Sequence, residues 1–130
     1  MLMDNSKIIE NAKTAMIHSY SPYSHFQVGA AALSDDGSIY TGCNVENASY
    51  GATMCAERVA IYASIAHGNK TIKKIAIVSS SDKFTFPCGI CRQVMSEFMQ
   101  EDGIIILSEG EETKEYRLGE LIPNAFHFCN

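Results

Sequence analysis

Two cysteines three residues apart, Cys88 and Cys91 in "FPCGICRQ", are the first side chains in this 130-residue sequence suited to chemistry. That spacing serves redox couples, structural zinc sites and catalytic zinc sites, so the pair alone does not choose among them. A second segment, "MCAERVA", puts Cys55 33 positions ahead of Cys88, with Glu57 and Arg58 close behind it. Glu57 and Arg58 are the only charged side chains between Gly51 and Ala66. A helix apolar nearly all round reads as buried, and charge inside it needs a partner. One arrangement uses all of these residues. Cys55, Cys88 and Cys91 hold one zinc ion, the fourth position is left for water, and Glu57 stands beside that water as a proton shuttle. A structural zinc site is the alternative, with Cys43 as a fourth ligand or, less well placed, His25. A redox pair leaves Cys55 and Glu57 without a task.

The elements that must position these residues follow from periodicity. Ile8, Ile9, Ala12, Ala15 and Met16 share one face of a helix over residues 5–18. "SYSPYS" breaks it. Phe26, Val28, Ala30 and Ala32 alternate as a strand, "SDDGS" makes a hairpin turn, and "IYTGCN" returns. Residues 44–54 read as a loop and 55–67 as a helix. The apolar runs Ile75–Val78 and Ile104–Leu107 suit strands covered on both faces. Between them Ile90, Val94, Met95 and Phe98 mark an amphipathic helix, with Met99 packing alongside, so strand, helix and strand predict a parallel crossover. "KEYRL" adds a strand and "LGELIP" a short helix. In such sheets ligand sites lie outside the carboxyl ends of the strands, where "PCGIC" falls. Helix amides there favour thiolate.

The length fits one domain, residues 1–130, with a core that needs no disulfides. Hydrophobic residues are 46% and charged residues 19% of the chain, and the formal net charge is −5. Ten basic residues scattered among fifteen acidic ones do not grip a phosphate backbone, so a small molecule is expected rather than a nucleic acid. No apolar run is long enough for a membrane span, and the N-terminus does not read as a secretory signal. A cytoplasmic location and reduced thiols are expected. Cys43 and Cys129 read as plain thiols, and His18, His67 and His127 as surface residues.

The pieces "CAE" and "PCGIC" match the segments that zinc deaminases use. With "YSPYSHFQVGAA", "GCNVENASYG", "MCAERVA", "PCGICRQV" and "LIPNAF" in that order, the sequence resembles the small, three-cysteine, homotetrameric cytidine deaminases from about Ser19 to Phe126. The resemblance implies a three-layer α/β/α fold around a mixed five-stranded sheet. It implies one Zn2+ per subunit on Cys55, Cys88 and Cys91, Glu57 as catalytic acid and base, and Arg58 bonded to the zinc-bound sulfurs. Phe26 resembles a wall of the base pocket, Asn44 and Glu46 a pair that grips ribose hydroxyls, and the Ala56 backbone a donor to the pyrimidine carbonyl. Tyr50 and Phe126 resemble residues lent by a neighbouring subunit. The reaction implied is hydrolytic deamination of cytidine and 2'-deoxycytidine, in pyrimidine salvage. Within the same class, a deaminase for the antibiotic blasticidin S is the alternative, and outside it a non-catalytic zinc module.

Overall fold

The computed structural model describes residues 4–128, so Cys129 lies outside the described residues. Helix α1, Asn5–Met16, begins at Asp4, whose carboxylate accepts the N–H of Ser6 and satisfies one of the donors a helix start leaves unpaired. Strands β1 (Val28–Ser34) and β2 (Ile39–Cys43) form the hairpin, turning through Gly37 at φ 91°. The "NVEN" segment is tied down by single bridges from Val45 to Tyr20 and to Met54. A short 3-10 turn follows at Tyr50–Ala52. Then come α2 (Ala56–Ala66), β3 (Ile72–Ser79), α3 (Gly89–Phe98), β4 (Met99–Glu109), β5 (Glu112–Arg117) and α4 (Leu118–Leu121).

The five strands make one mixed sheet in the order β2-β1-β3-β4-β5. The β3–β4 pair is parallel, as the crossover requires, and the other pairs are antiparallel. Alternation along β3 separates two cores. Ala76 and Val78 pack with Ile8, Ile9 and Ala12 of α1, while Ile75 and Ile77 pack with Ala60 and Ile61 of α2 and Met95 of α3. The sheet is therefore covered on both faces, which gives three layers.

Two glycines let the helices come close. A Cβ at Gly29 would lie 2.1 Å from Ala12 O of α1, and one at Gly42 would lie 2.6 Å from both Ala56 O and Ala60 N of α2. Gly42 thus lets the start of α2, with the chemistry it carries, rest directly on the β2 backbone.

Two expectations change. Ile90 is 62% exposed and does not face the core. The buried residues of α3 are Cys91, Met95 and Ser96, so Met95 packs as expected, and Val94 and Phe98 are partly buried against the same core. Helix α2 is also not buried all round. Its inner face is Ala56, Glu57, Ala60, Ile61 and Ser64, whereas Tyr62 stands outward at 44% exposure.

Candidate metal centre and active site

Cys55 and Cys88 are the N-cap residues of α2 and α3, and neither side chain caps its own helix. Where Ser, Asp or Asn would turn back onto the backbone, these thiols turn toward each other. Their sulfurs are 3.9 Å apart, and Cys91, one turn into α3 and fully buried, completes a cluster with all three sulfurs within 4.8 Å of one another. Among the described residues this is the one group of three or more such side chains placed to share a metal ion, and neither Cys43 nor His25 belongs to it. Arg58 Nη2 donates to Cys55 Sγ at 3.4 Å.

The thiols divide their charge. The hydrogen bond from Cys91 holds Cys55 down at about 5 against the cost of burial, and Arg58 assists. That bond and burial together push Cys91 far up. Glu57, 4% exposed, is pushed up to about 7 by burial, with the neighbouring Cys55 thiolate adding to the rise. A carboxyl group balanced near neutrality beside a thiolate cluster can both take and give a proton.

A cavity of about 210 Å³ opens onto Glu57, Cys55 and Cys88, and Phe26, Asn44 and Ala56 also line it. Both residues expected around the base, Phe26 and Ala56, line the cavity, and Asn44 of the expected ribose pair joins them. The Ala56 N–H, at the first position of α2, lies outside the helix's own hydrogen-bond ladder and is open to an acceptor.

The match to the cytidine and deoxycytidylate deaminase zinc-binding region covers residues 3–107, more than half the chain. The chain belongs to this family. A cytidine deaminase of Halalkalibacterium halodurans is 43% identical over 95% of this chain and 95% of its own length. One of Mycobacterium tuberculosis is 44% identical over 89% of this chain and 84% of its own. The crystal structure of a Burkholderia pseudomallei cytidine deaminase superposes with a TM-score of 0.90 at 41% identity, covering 95% of this chain and all of that one. These relatives favour the cytidine deaminase reading over a blasticidin S deaminase.

The zinc that the family's name implies fits the residues present. Tetrahedral zinc–thiolate bonds of about 2.3 Å place sulfurs roughly 3.8 Å apart, and Cys55 and Cys88 already stand at 3.9 Å. Three thiolates around a dication leave a net negative centre. Arg58 faces it through Nη2, which donates to Cys55 Sγ, while its buried Nε has no hydrogen-bond partner among the described residues. Among the described residues neither Cys43 nor any histidine joins the three cysteines, which argues against the structural-zinc alternative as read from Cys43 or His25.

The expected ribose pair is placed differently from what the motif alone conveys. Asn44 is 8% exposed and its amide is turned into the protein. Its Oδ1 accepts the N–H of Val28 at 2.9 Å and the hydroxyl of Ser19, and its Nδ2 donates to Phe26 O at 2.7 Å. One amide N–H remains for a ligand. Glu46 lines a neighbouring groove of about 400 Å³ with Tyr23, Ser24 and Tyr50, which meets the first cavity at Thr53. Its carboxylate accepts the N–H groups of Tyr23 and Ser24 and the Ser24 hydroxyl, so it also ties the "SPYS" turn to the "NVEN" segment. Tyr50 and Phe126 are 78% and 71% exposed, outside the metal cavity of their own chain. Sequence reasoning missed Phe86, Thr85, Met54 and Thr53, which line the cavity as well. Phe86 alone carried a signal, its place directly before "PCGIC".

Proposed function

We propose that this protein hydrolyses cytidine and 2'-deoxycytidine to uridine or 2'-deoxyuridine and ammonia. The observation that carries the reading is Glu57, buried in a cavity and held close to neutral pKa against three clustered cysteines. Cys55, Cys88 and Cys91 would hold zinc, which would make a water molecule acidic enough to ionise near neutral pH. Phe26 offers a flat apolar wall to the base, and the Ala56 N–H receives the pyrimidine carbonyl. Glu57 takes the water's proton and passes it to ring N3 as the C4–O bond forms, then takes the proton of the new C4 hydroxyl and delivers it to the amino group as the C4–N bond breaks and the C4 carbonyl forms. One water is consumed and one ammonia released. The ribose lies toward Asn44 and Glu46, whose carboxylate has acceptor capacity beyond the turn it holds.

The protein acts as a cytoplasmic homotetramer in pyrimidine salvage. What supports assembly is the set of large apolar side chains left outward by one chain, Tyr50, Ile90, Phe126 and Phe128 among them. Tyr50 and Phe126 then serve a neighbouring subunit's pocket.

Ammonia release from cytidine by the zinc-loaded protein tests the reaction, with Glu57→Ala as the control. The variant should keep its zinc and lose several orders of magnitude in kcat, roughly the worth of a positioned acid and base. Near-normal turnover by Glu57→Ala would discard the mechanism. Turnover of blasticidin S in place of cytidine would reassign the substrate.

A further inference from the structure

We propose that Phe86 is a specificity-determining residue, the wall that closes the base slot opposite N3 and bounds the C5 edge of the pyrimidine. The proposal rests on the deamination reading above.

Phe86 is 44% exposed, and it lines the cavity that holds Phe26, Glu57 and Cys88. Its neighbours on both sides are fixed. Phe84 packs against the core beneath Lys114, whose Nζ lies 4.9 Å from its ring centroid. The hydroxyls of Thr85 and Ser79 share a hydrogen bond at 2.6 Å. Pro87 is buried, and its carbonyl accepts Arg92 Nε at 2.8 Å. The Phe86 ring itself leans on Tyr116 of β5, centroids 5.4 Å apart and planes inclined by 56°. A ring so held is a wall of set position.

The polar groups around it leave that wall little competition. The Thr85 hydroxyl is engaged by Ser79, and both sides of the Asn44 amide are engaged inward. Beyond Glu57, Thr53, the two cysteines and those engaged groups, the lining is Phe26, Val28, Met54, Ala56 and Phe86, so flatness and outline carry much of the recognition of a base.

The orientation of the base follows from the reaction. C4 must face the cysteine cluster, and N3 must face Glu57, which belongs to α2. Ring position C5 is the other neighbour of C4, so it turns toward the second segment that supplies cysteines, residues 85–88. Phe86 is the bulky side chain there. A substituent on C5 meets its ring.

The test is a steady-state comparison of cytidine and 5-methylcytidine on the zinc-loaded wild type, Phe86→Ala, Phe86→Leu and Tyr116→Ala, with zinc content measured on each. In Phe86→Ala, KM for cytidine should rise roughly tenfold, with kcat within about threefold of wild type. The kcat/KM preference for cytidine over 5-methylcytidine should fall by about tenfold or more, the scale of one methyl group against a fitted wall. Tyr116→Ala should move the preference in the same direction and by less, since it removes the prop and not the wall. If Phe86→Ala does not fold, the same ratio is read on Phe86→Leu, which keeps bulk but loses the flat face. An unchanged preference, or a loss confined to kcat, overturns the assignment. A wild type that turns over neither nucleoside removes the deamination reading and this proposal with it. A wild type that turns over cytidine with a preference indifferent to Phe86 removes this proposal alone.

Discussion

Replacing Asn44 by leucine should cost far more stability than its place in a ligand-binding motif suggests. The Asn44 side chain ties the end of β2 to the entry to β1, taking up Val28 N–H and Phe26 C=O at 2.9 and 2.7 Å and the Ser19 hydroxyl besides. Leucine fills similar space and satisfies none of them. A buried donor or acceptor left without a partner costs about 1–3 kcal/mol. Val28 N–H would be stranded in full and the part-buried Phe26 carbonyl only in part, together about 2–4 kcal/mol, against a whole-domain stability of about 5–15 kcal/mol. Tm should fall on the order of 10–20 °C for a domain of this size. Ser19→Ala, which removes one bond to the same oxygen, should cost about 1 kcal/mol. Urea unfolding with free zinc held constant reads both, because bound metal raises apparent stability by mass action. An Asn44→Leu loss under about 1 kcal/mol would refute the structural account and leave Asn44 a ligand contact alone.

Gly42→Ala should displace the start of α2, because its Cβ would meet backbone atoms at 2.6 Å. A loss of about 1–3 kcal/mol is expected, together with weakened zinc retention measured by competition with a chelator. Arg58→Ala in the reduced, metal-free protein should raise the Cys55 thiol from about 5 without returning it to an ordinary value, since the Cys91 bond persists. Ultraviolet thiolate absorbance against pH measures this, and no movement would deny Arg58 its electrostatic role. Glu46 is held below its ordinary pKa, first by the Ser24 hydroxyl and also by the Ser24 and Tyr23 N–H groups. A depressed carboxyl contributes its stabilisation above the unfolded pKa and loses it as pH falls through the folded one. The "SPYS" turn should therefore loosen below the ordinary glutamate range, seen as faster amide exchange at Tyr23 and Ser24, and Glu46→Gln should flatten that dependence.

The strands and helices were legible because their apolar periods are strong. Ile75 to Val78 and Ile104 to Leu107 could hardly be anything but covered strands, and they pair in parallel as read. At α3 periodicity placed Val94, Met95 and Phe98 against the core and erred at Ile90, which is 62% exposed. Counting Cys91 as chemistry concealed that it is also core. The three-cysteine cluster was legible because its members open two helices that the sheet places end to end in space. The inward turn of Asn44 was not, since a side chain's choice between ligand and backbone depends on neighbours such as Val28 and Phe26 that approach only in the folded chain.

The metal centre also has a mechanical side. Cys55 and Cys88 are 33 residues apart, and the stretch between them contains α2 and the central strand β3. An ion bound to both is a reversible cross-link that encloses the middle of the sheet. Closing a loop of that length by a covalent bond removes about 4 kcal/mol of unfolded-chain entropy in the chain-entropy model, and a bound ion draws on the same source. Loading is thereby coupled to folding, since the sulfurs meet only after β3 has taken its place. Chelation should then do more than silence the reaction: it unfastens the strand on which both cores are built.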